Sequence, residues 1–328
     1  MATSAMSVSE NVDLTGKRVV VTGASSGIGK ELSRVLVIRG AEVIMACRNE
    51  QKTRHTINEL ASSLDEDQVQ RLVFEECDLS SLKNVYSFCQ RLTEQAVPIH
   101  RLFFNGGVFS VPFKLTPEGL EYTYTANYLG HYLLLRAFLN ADLLNSDSQV
   151  IATMSEGGYQ YPFASANLEM LATPENASYL QRSVARFTAS PNSKVMMMLM
   201  MEYFNRNMQD EVAPKIRFNS ADPGPTLTDN INQMGIALKF LAPIYTPFFM
   251  HSVERGAAGL MWLAVADEAK DLNGVLLNKR FKEVSIPARS RDSNLSDRCW
   301  ELSEKIIETR LNMPVSSLCR EKGSLLAS

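Results

Sequence analysis

The stretch Val19-Val20-Val21-Thr22-Gly23-Ala24-Ser25-Ser26-Gly27-Ile28-Gly29-Lys30 constrains this chain more than any other. A β-branched apolar run stops at a glycine-rich turn, and a helical pattern follows at once through Ile28, Leu32, Val35 and Leu36. Strand, glycine turn and helix in that order build a phosphate site. The glycines let backbone approach a pyrophosphate, and free N–H groups at the helix start favour its charge. The glycines are spaced G-x-x-x-G-x-G rather than G-x-G-x-x-G, and such a turn can also do no more than join two elements. The buried strand before it and the helix after it favour nucleotide binding.

At 328 residues, 45% of them hydrophobic and 21% charged, the chain is long enough for one large core or two small ones. A net charge of −3, with no basic run, leaves no footprint for nucleic acid. Cys47, Cys77, Cys89, Cys299 and Cys319 are scattered without a C-x-x-C, which fits reduced thiols and argues against a disulfide frame or a bound metal. Met1 to Asn11 is Ser-rich and acidic, unlike a secretory signal or a mitochondrial presequence. The expected compartment is the cytoplasm, with an organelle left open. Residues 236–250 are apolar but carry Lys239, Pro243 and Pro247. They are too short and broken to span a bilayer, yet apolar enough to rest on a membrane surface.

Strands are predicted at Lys17–Thr22, Glu42–Ala46, Val69–Glu75, Arg101–Phe104, Gln149–Thr153, Ile216–Ser220 and Val275–Leu277. Helices are predicted at Ile28–Arg39, Asn49–Ser63, from Ser80 or Ser81 to Glu94, Pro117–Leu139 and Pro191–Met208, the last after a loop from Glu156 to Ala189. Strands alternating with helices predict an α/β fold, a doubly wound Rossmann-like parallel sheet of about seven strands covered on both faces. No repeat or linker divides the chain. The expected layout is a flexible segment over 1–13, one domain over 14–312 with a substrate cap at 225–250, and a tail over 313–328.

Taken in order, these landmarks resemble the short-chain dehydrogenase/reductase superfamily. Thr22-Gly23-Ala24-Ser25-Ser26-Gly27-Ile28-Gly29 is similar to its cofactor turn, and Asp78, followed by Leu79, to its adenine-contacting acid. Asn105-Gly106-Gly107 resembles its N-A-G, with Phe104 for a usual Asn and Gly106 for the usual Ala. Asn127, in Asn127-Tyr128-Leu129-Gly130-His131, matches the helix Asn that holds a proton-relay water. Ser155 matches the catalytic Ser, Lys194 the Lys of Y-x-x-x-K, and Pro223-Gly224 with Thr228 the P-G-x-x-x-T. Val43-Ile44-Met45-Ala46-Cys47-Arg48-Asn49 and Cys299-Trp300-Glu301-Leu302-Ser303-Glu304 look most like the retinol dehydrogenase and protochlorophyllide reductase branch. The resemblance implies a cofactor site of Gly23, Ser25, Ser26, Gly27, Ile28, Gly29, Arg48, Asp78, Leu79, Asn105, Gly106, Lys194, Pro223, Gly224 and Thr228.

An NAD enzyme usually places an acid after the second strand to bond the ribose 2′-OH. Arg48 stands there, 19 residues beyond Gly29. A guanidinium pairs with a 2′-phosphate, which favours NADP(H), although an arginine at a strand end can also be merely solvated.

The family's proton donor is a Tyr four residues before the Lys, and Ser190 stands in its place. An aliphatic alcohol is a far weaker acid than a phenol. Ser190-Pro191 also reads as an N-cap followed by proline at the first helical position. Tyr159, Tyr161 and Tyr179 are candidate substitutes, each equally an ordinary loop aromatic. His131 reads as a buried, satisfied histidine, and Met196-Met197-Met198-Leu199-Met200-Met201 as helix core or interface, less readily as a substrate wall.

The leading expectation is an NADP(H)-dependent oxidoreductase moving hydride to or from a hydrophobic carbonyl, alcohol or conjugated double bond. Ser155 would orient the substrate, Lys194 hold the ribose and Asn127 keep the relay water. Phe240, Tyr245, Phe248 and Phe249 make the cap apolar, for a bulky substrate or a subunit interface. The competing expectation is a nucleotide-binding scaffold or accessory subunit without turnover. By family likeness a homo-oligomer or a place in a larger assembly is expected, since such proteins often pair through their long helices.

Overall fold

The computed structural model describes residues 3–155, 164–208, 216–226 and 251–319. Its centre is a seven-stranded, all-parallel sheet in the order β3-β2-β1-β4-β5-β6-β7. The strands are β1 Arg18–Thr22, β2 Glu42–Cys47, β3 Leu72–Glu76, β4 Arg101–Phe104, β5 Gln149–Thr153, β6 Arg217–Ala221 and β7 Leu276–Leu277. Both faces of the sheet are apolar. Val20, Ile44, Leu102, Phe104, Val150 and Phe218 enter one core, while Val19, Val21, Val43, Met45, Phe103 and Ile151 enter the other. Side chains alternate across a strand, so a run such as Val19-Val20-Val21 feeds both cores at once. The strand order reverses between β1 and β4, which opens a crevice at their carboxyl ends, where doubly wound sheets hold ligands.

The helices are α1 Ala5–Val8, α2 Gly27–Ile38, α3 Glu50–Leu60, α4 Glu66–Gln70, α5 Leu82–Gln95, α6 Tyr122–Tyr124, α7 Gly130–Asn140, α8 Leu168–Ala172, α9 Tyr179–Tyr203, α10 Val253–Gly256, α11 Ala258–Val265 and α12 Ser293–Leu311. A π-helical turn, Thr125–Leu129, joins α6 to α7.

Four expectations are corrected. The segment before residue 14 is not free: Ser4 and Ser7 form a capping box on α1, Ala5 is buried, and Arg39 donates to the Met6 carbonyl and to Ser9 Oγ. The tail is packed as far as Cys319, with Val315 and Leu318 buried and Asn140 Nδ2 donating to the Val315 carbonyl at 2.6 Å. β3 starts at Leu72 because Asp65 and Gln68 cap a separate turn, α4. The fourth correction bears on the site. α9 begins at Tyr179, where Ser178 and Gln181 form a capping box, and runs straight through Pro191. Ser190 is therefore an interior helix residue and not an N-cap. The helix tolerates the proline because Ala185, Ala189 and Met196 to Met201 are all buried against the core, and packing outweighs one lost hydrogen bond. The methionine run is core.

Helix α12 lies across α7 and α9. Trp300 stacks on Tyr203 (ring centroids 4.2 Å apart) and meets Tyr132 edge-on at 4.8 Å. The Arg136 guanidinium lies 5.4 Å from the Trp300 ring and pairs with Glu304. The Tyr128 hydroxyl sits 2.9 Å from Ser303 Oγ. α12 thus covers α7 at Tyr132 and Arg136 and the end of α9 at Tyr203, while the first half of α9 leaves Tyr179, Leu180 and Phe187 exposed. Residues 227–250, with Phe240, Tyr245, Phe248, Phe249 and the membrane-contact expectation at 236–250, lie outside the described residues. So do Tyr159 and Tyr161. Thr226 pairs with His251 as an isolated bridge. Among the described residues no helix is long and apolar enough to cross a membrane.

Candidate active site

The crevice is built on one hydroxyl. Thr22 Oγ1, at the end of β1, accepts from the backbone N–H of Asn105 (2.9 Å) and Gly106 (2.8 Å) and contacts the Phe103 carbonyl at 3.0 Å. This ties β1 to the turn after β4. Asn105 Nδ2 donates to the Thr22 carbonyl at 3.1 Å, and Asn105 Oδ1 accepts from Thr153 Oγ1 at 3.3 Å, which brings in β5.

The glycines are there for close approach. Gly23 has φ +66°, and a Cβ on it would lie 2.7 Å from Gly106 Cα. A Cβ on Gly29 would lie 2.4 Å from the Gly23 carbonyl oxygen, far inside van der Waals contact. Gly106, where the family usually has Ala, faces Leu79: its Cβ would fall 2.7 Å from Leu79 Cδ1.

The start of α2 is open. Ser26 makes no side-chain cap bond, whereas Asn49 caps α3 and Ser81 caps α5 in the turns after β2 and β3. Helix N-terminal donors left unmet beside a tight glycine turn fit a pyrophosphate. Asp78 Oδ1 accepts from both the N–H and the hydroxyl of Ser80, which fixes the carboxylate at the end of β3. Arg48, just past β2, places Nη1 2.7 Å from the Tyr122 hydroxyl. On the far side, Asp222 Oδ1 accepts from Gly224 N, and Gly224 takes φ +70° as Pro223-Gly224 turns away from β6. Thr228 lies outside the described residues.

Lys194 reaches from α9 to the carboxyl end of β5, where Nζ donates to the Thr153 carbonyl at 2.6 Å. Burial pulls its ammonium down to about 8, against the opposing pull of Asp222. Ser155 is exposed at the end of the same strand. Ser190 lies four residues before Lys194, so the two share a helix face one turn apart. Asn127 accepts from Val108 N at 2.7 Å and donates to the Val108 carbonyl (3.0 Å) and to Ser193 Oγ (3.1 Å). Its side chain locks the turn after β4 to α9. Tyr179 is 88% exposed at the first residue of α9, about 22 Å along the axis from Lys194, too far to replace the missing phenol.

Two backbone groups had no signal in residue type. The Thr153 carbonyl is the partner of Lys194. Gly130 lets α7 pass over the turn after β3, since a Cβ there would lie 2.6 Å from the Leu79 carbonyl oxygen.

His131 is buried, with Nδ1 3.1 Å from the Asn127 carbonyl and Nε2 3.0 Å from Thr22 Oγ1. Nδ1 must donate to a carbonyl, so the neutral ring leaves Nε2 to accept. Burial holds its pKa near 3, against 6.5 when free. The unfolded chain thus takes up this proton well before the folded one, and acid favours unfolding throughout that window. About 5 kcal/mol of stability, complete above about pH 7, should be withdrawn as the pH falls towards 3. Denaturant midpoints measured against pH should flatten in a His131→Gln variant, and an unchanged slope would assign the acid sensitivity elsewhere. Among the described residues no cluster of His, Cys, Asp and Glu is placed to hold a metal.

Residues 17–167 match the family model described as short chain dehydrogenase. The chain is 28% identical to the human (Homo sapiens) WW domain-containing oxidoreductase over 94% of its own length and 72% of that protein. It is likewise 28% identical to Mus musculus retinol dehydrogenase 12, over 90% of this chain and 88% of the relative. Among solved structures, a short chain dehydrogenase from Burkholderia cenocepacia in complex with NADP superposes with a TM-score of 0.60 at 20% identity, covering 81% of this chain and 96% of that one.

Proposed function

The chain belongs to the short-chain dehydrogenase/reductase superfamily, and from that premise we propose that it is an NADP(H)-dependent oxidoreductase acting on a hydrophobic carbonyl, alcohol or conjugated double bond. One observation carries this reading. The Lys194 ammonium is held over the end of β5, on the same crevice as the open start of α2 and the guanidinium of Arg48.

When bound, the dinucleotide would supply the hydride in reduction and accept it in oxidation. The α2 N–H groups and the turn from Gly23 to Gly29 would take its pyrophosphate, and Asp78 with Leu79 would line the adenine. Arg48 would pair with the 2′-phosphate, as befits a family with an NADP-bound structural neighbour. Pro223 and Gly224 would border the nicotinamide end. Lys194, with a pKa near 8, stays mostly protonated at neutral pH and would donate to the ribose hydroxyls. Ser155, exposed beside it, would hold the substrate oxygen. Asn127 fixes the wall on which a relay water would stand. Ser190 is too weak an acid for the family's phenol role, so the substrate proton would come from water next to its short side chain. The retinol dehydrogenase relative and the apolar sequence of 236–250 support a bulky hydrophobic substrate.

A scaffold without turnover is the second reading, and Ser190 is the observation that favours it. Pairing through the long helices would use the first half of α9, where Leu180 and Phe187 are exposed, because α12 covers only its end.

Thermal unfolding tests the cofactor. At a hundredfold excess over its Kd, NADPH should stabilise by about 2.7 kcal/mol and raise Tm by about 4 °C for a chain this size. NADH at the same concentration should raise it less. Equal shifts would remove the 2′-phosphate assignment, and no shift with either would remove the nucleotide site.

A further inference from the structure

We propose that Tyr122 is a positioning residue for the 2′-phosphate, with Lys114 as a second cation at the same subsite. The inference rests on the NADP(H) reading above and adds two residues to it. Arg48 is exposed at the strand end, where a long side chain would sample many rotamers in the absence of a partner. Its Nη1 is held 2.7 Å from the Tyr122 hydroxyl, although 74 residues separate the two in the chain.

The helix itself does not need the phenol. Glu121 already caps α6, with its side chain accepting from Tyr124 N at 2.8 Å. Tyr122 is instead fixed from the other side. Leu115 pairs with Glu121, Thr116 N donates to the Leu120 carbonyl at 2.7 Å, and Tyr122 N donates to the Lys114 carbonyl at 3.0 Å. That tight return sets Lys114 Nζ 3.6 Å from the centroid of the Tyr122 ring.

The three side chains form a row: ammonium over ring, ring hydroxyl against guanidinium. A phenol that accepts from Arg48 keeps its own hydrogen to donate to a phosphate oxygen. The ammonium on the ring face strengthens that donor and adds positive charge to the subsite. Arranging these groups before binding lowers the ordering cost that NADPH would otherwise bear. None of them would reward the bare 2′-hydroxyl of NADH to the same degree.

The test is direct binding of NADPH and of NADH to the full chain, followed by nicotinamide fluorescence at two salt concentrations. Tyr122→Phe, which keeps the ring, should weaken NADPH about tenfold and leave NADH within about twofold. Lys114→Gln should weaken NADPH about threefold and make its affinity less sensitive to salt. Arg48→Leu is the control for the underlying reading. If it collapses the preference while Tyr122→Phe and Lys114→Gln leave the NADPH to NADH ratio unchanged, the positioning role is wrong and the 2′-phosphate site stands. If Arg48→Leu also leaves the ratio unchanged, the NADP(H) reading itself falls. Equal weakening of both nucleotides by Tyr122→Phe would reduce Tyr122 to a structural part and overturn the proposal.

Discussion

Ser190→Tyr is expected to raise NADPH-dependent reduction of a long-chain or aromatic aldehyde by about 10²- to 10⁴-fold, the usual worth of a positioned general acid. The expectation follows from the course of α9. Had the helix begun at Pro191, residue 190 would be a cap pointing off the axis. Instead the helix continues through it, and position 190 lies on the Lys194 face, one turn away. A phenol placed there would stand beside a buried ammonium, and a neighbouring positive charge lowers a phenol's pKa. Residue 190 is 8% exposed, so the variant must first be shown to melt as the parent does and to bind NADPH. A folded, NADPH-binding variant that shows no gain would identify the chain as a nucleotide-holding scaffold. A gain of the stated size would show that every other part of the site is competent.

Trp300→Ala should cost about 3–5 kcal/mol, the range for truncating a large buried aromatic. Trp300 is 3% exposed, lies against Tyr203 and Tyr132, and takes the Arg136 guanidinium on its ring. Its removal leaves a cavity between α12 and the two helices beneath, and it uncovers aromatic rings that α12 shields. Urea midpoints and Tm should both fall, by about 6 °C in the latter. A loss under about 1 kcal/mol would mean that α12 adds little to the fold. In that case the outer face of α7 and α9 would again be open to a second subunit. Gel filtration of the same variant reports on that surface.

Much of the fold is legible in the sequence itself. The β-branched runs marked the strands, because a sheet buried on both faces needs apolar residues at every position. Asn105 binds Thr22 beside the glycine turn, Asn127 reaches Ser193 on α9, and Lys194 reaches the end of β5; the resemblance to a family, rather than spacing alone, groups these residues. Misreadings arose where a local signal competed with packing. Pro191 is a strong helix-start signal, but the capping box at Ser178 and the buried methionine run prevailed. Pro117 suggested a helix start as well, yet residues 115–121 fold back on themselves and the helix waits for Tyr122. The apolar pattern puts a strand from Val69, but the capping box of Asp65 and Gln68 holds Val69 and Gln70 in α4. Other contributors were silent in principle. Thr153 acts through its carbonyl, Gly130 through the absence of a side chain, and Tyr122 through a partner far away in the chain. Residue type reports none of these.

A sheet that is oily on both sides loses a common means of alignment. Where one face is wet, a slip of one residue throws the hydrophobic set into water and is rejected. Here a slipped β1 would still present valine to either side. Alignment must come from the polar ends instead. At the entry of β1, Arg18 sits opposite Glu42 and binds its carboxylate. At its exit, the Thr22 hydroxyl receives two backbone donors from the chain just past β4. The charged pair and the hydroxyl act as clamps at either end of a strand whose middle carries no positional information. The lower clamp sets the phase of β1 against β2, and the upper one sets the mouth of the crevice against β4.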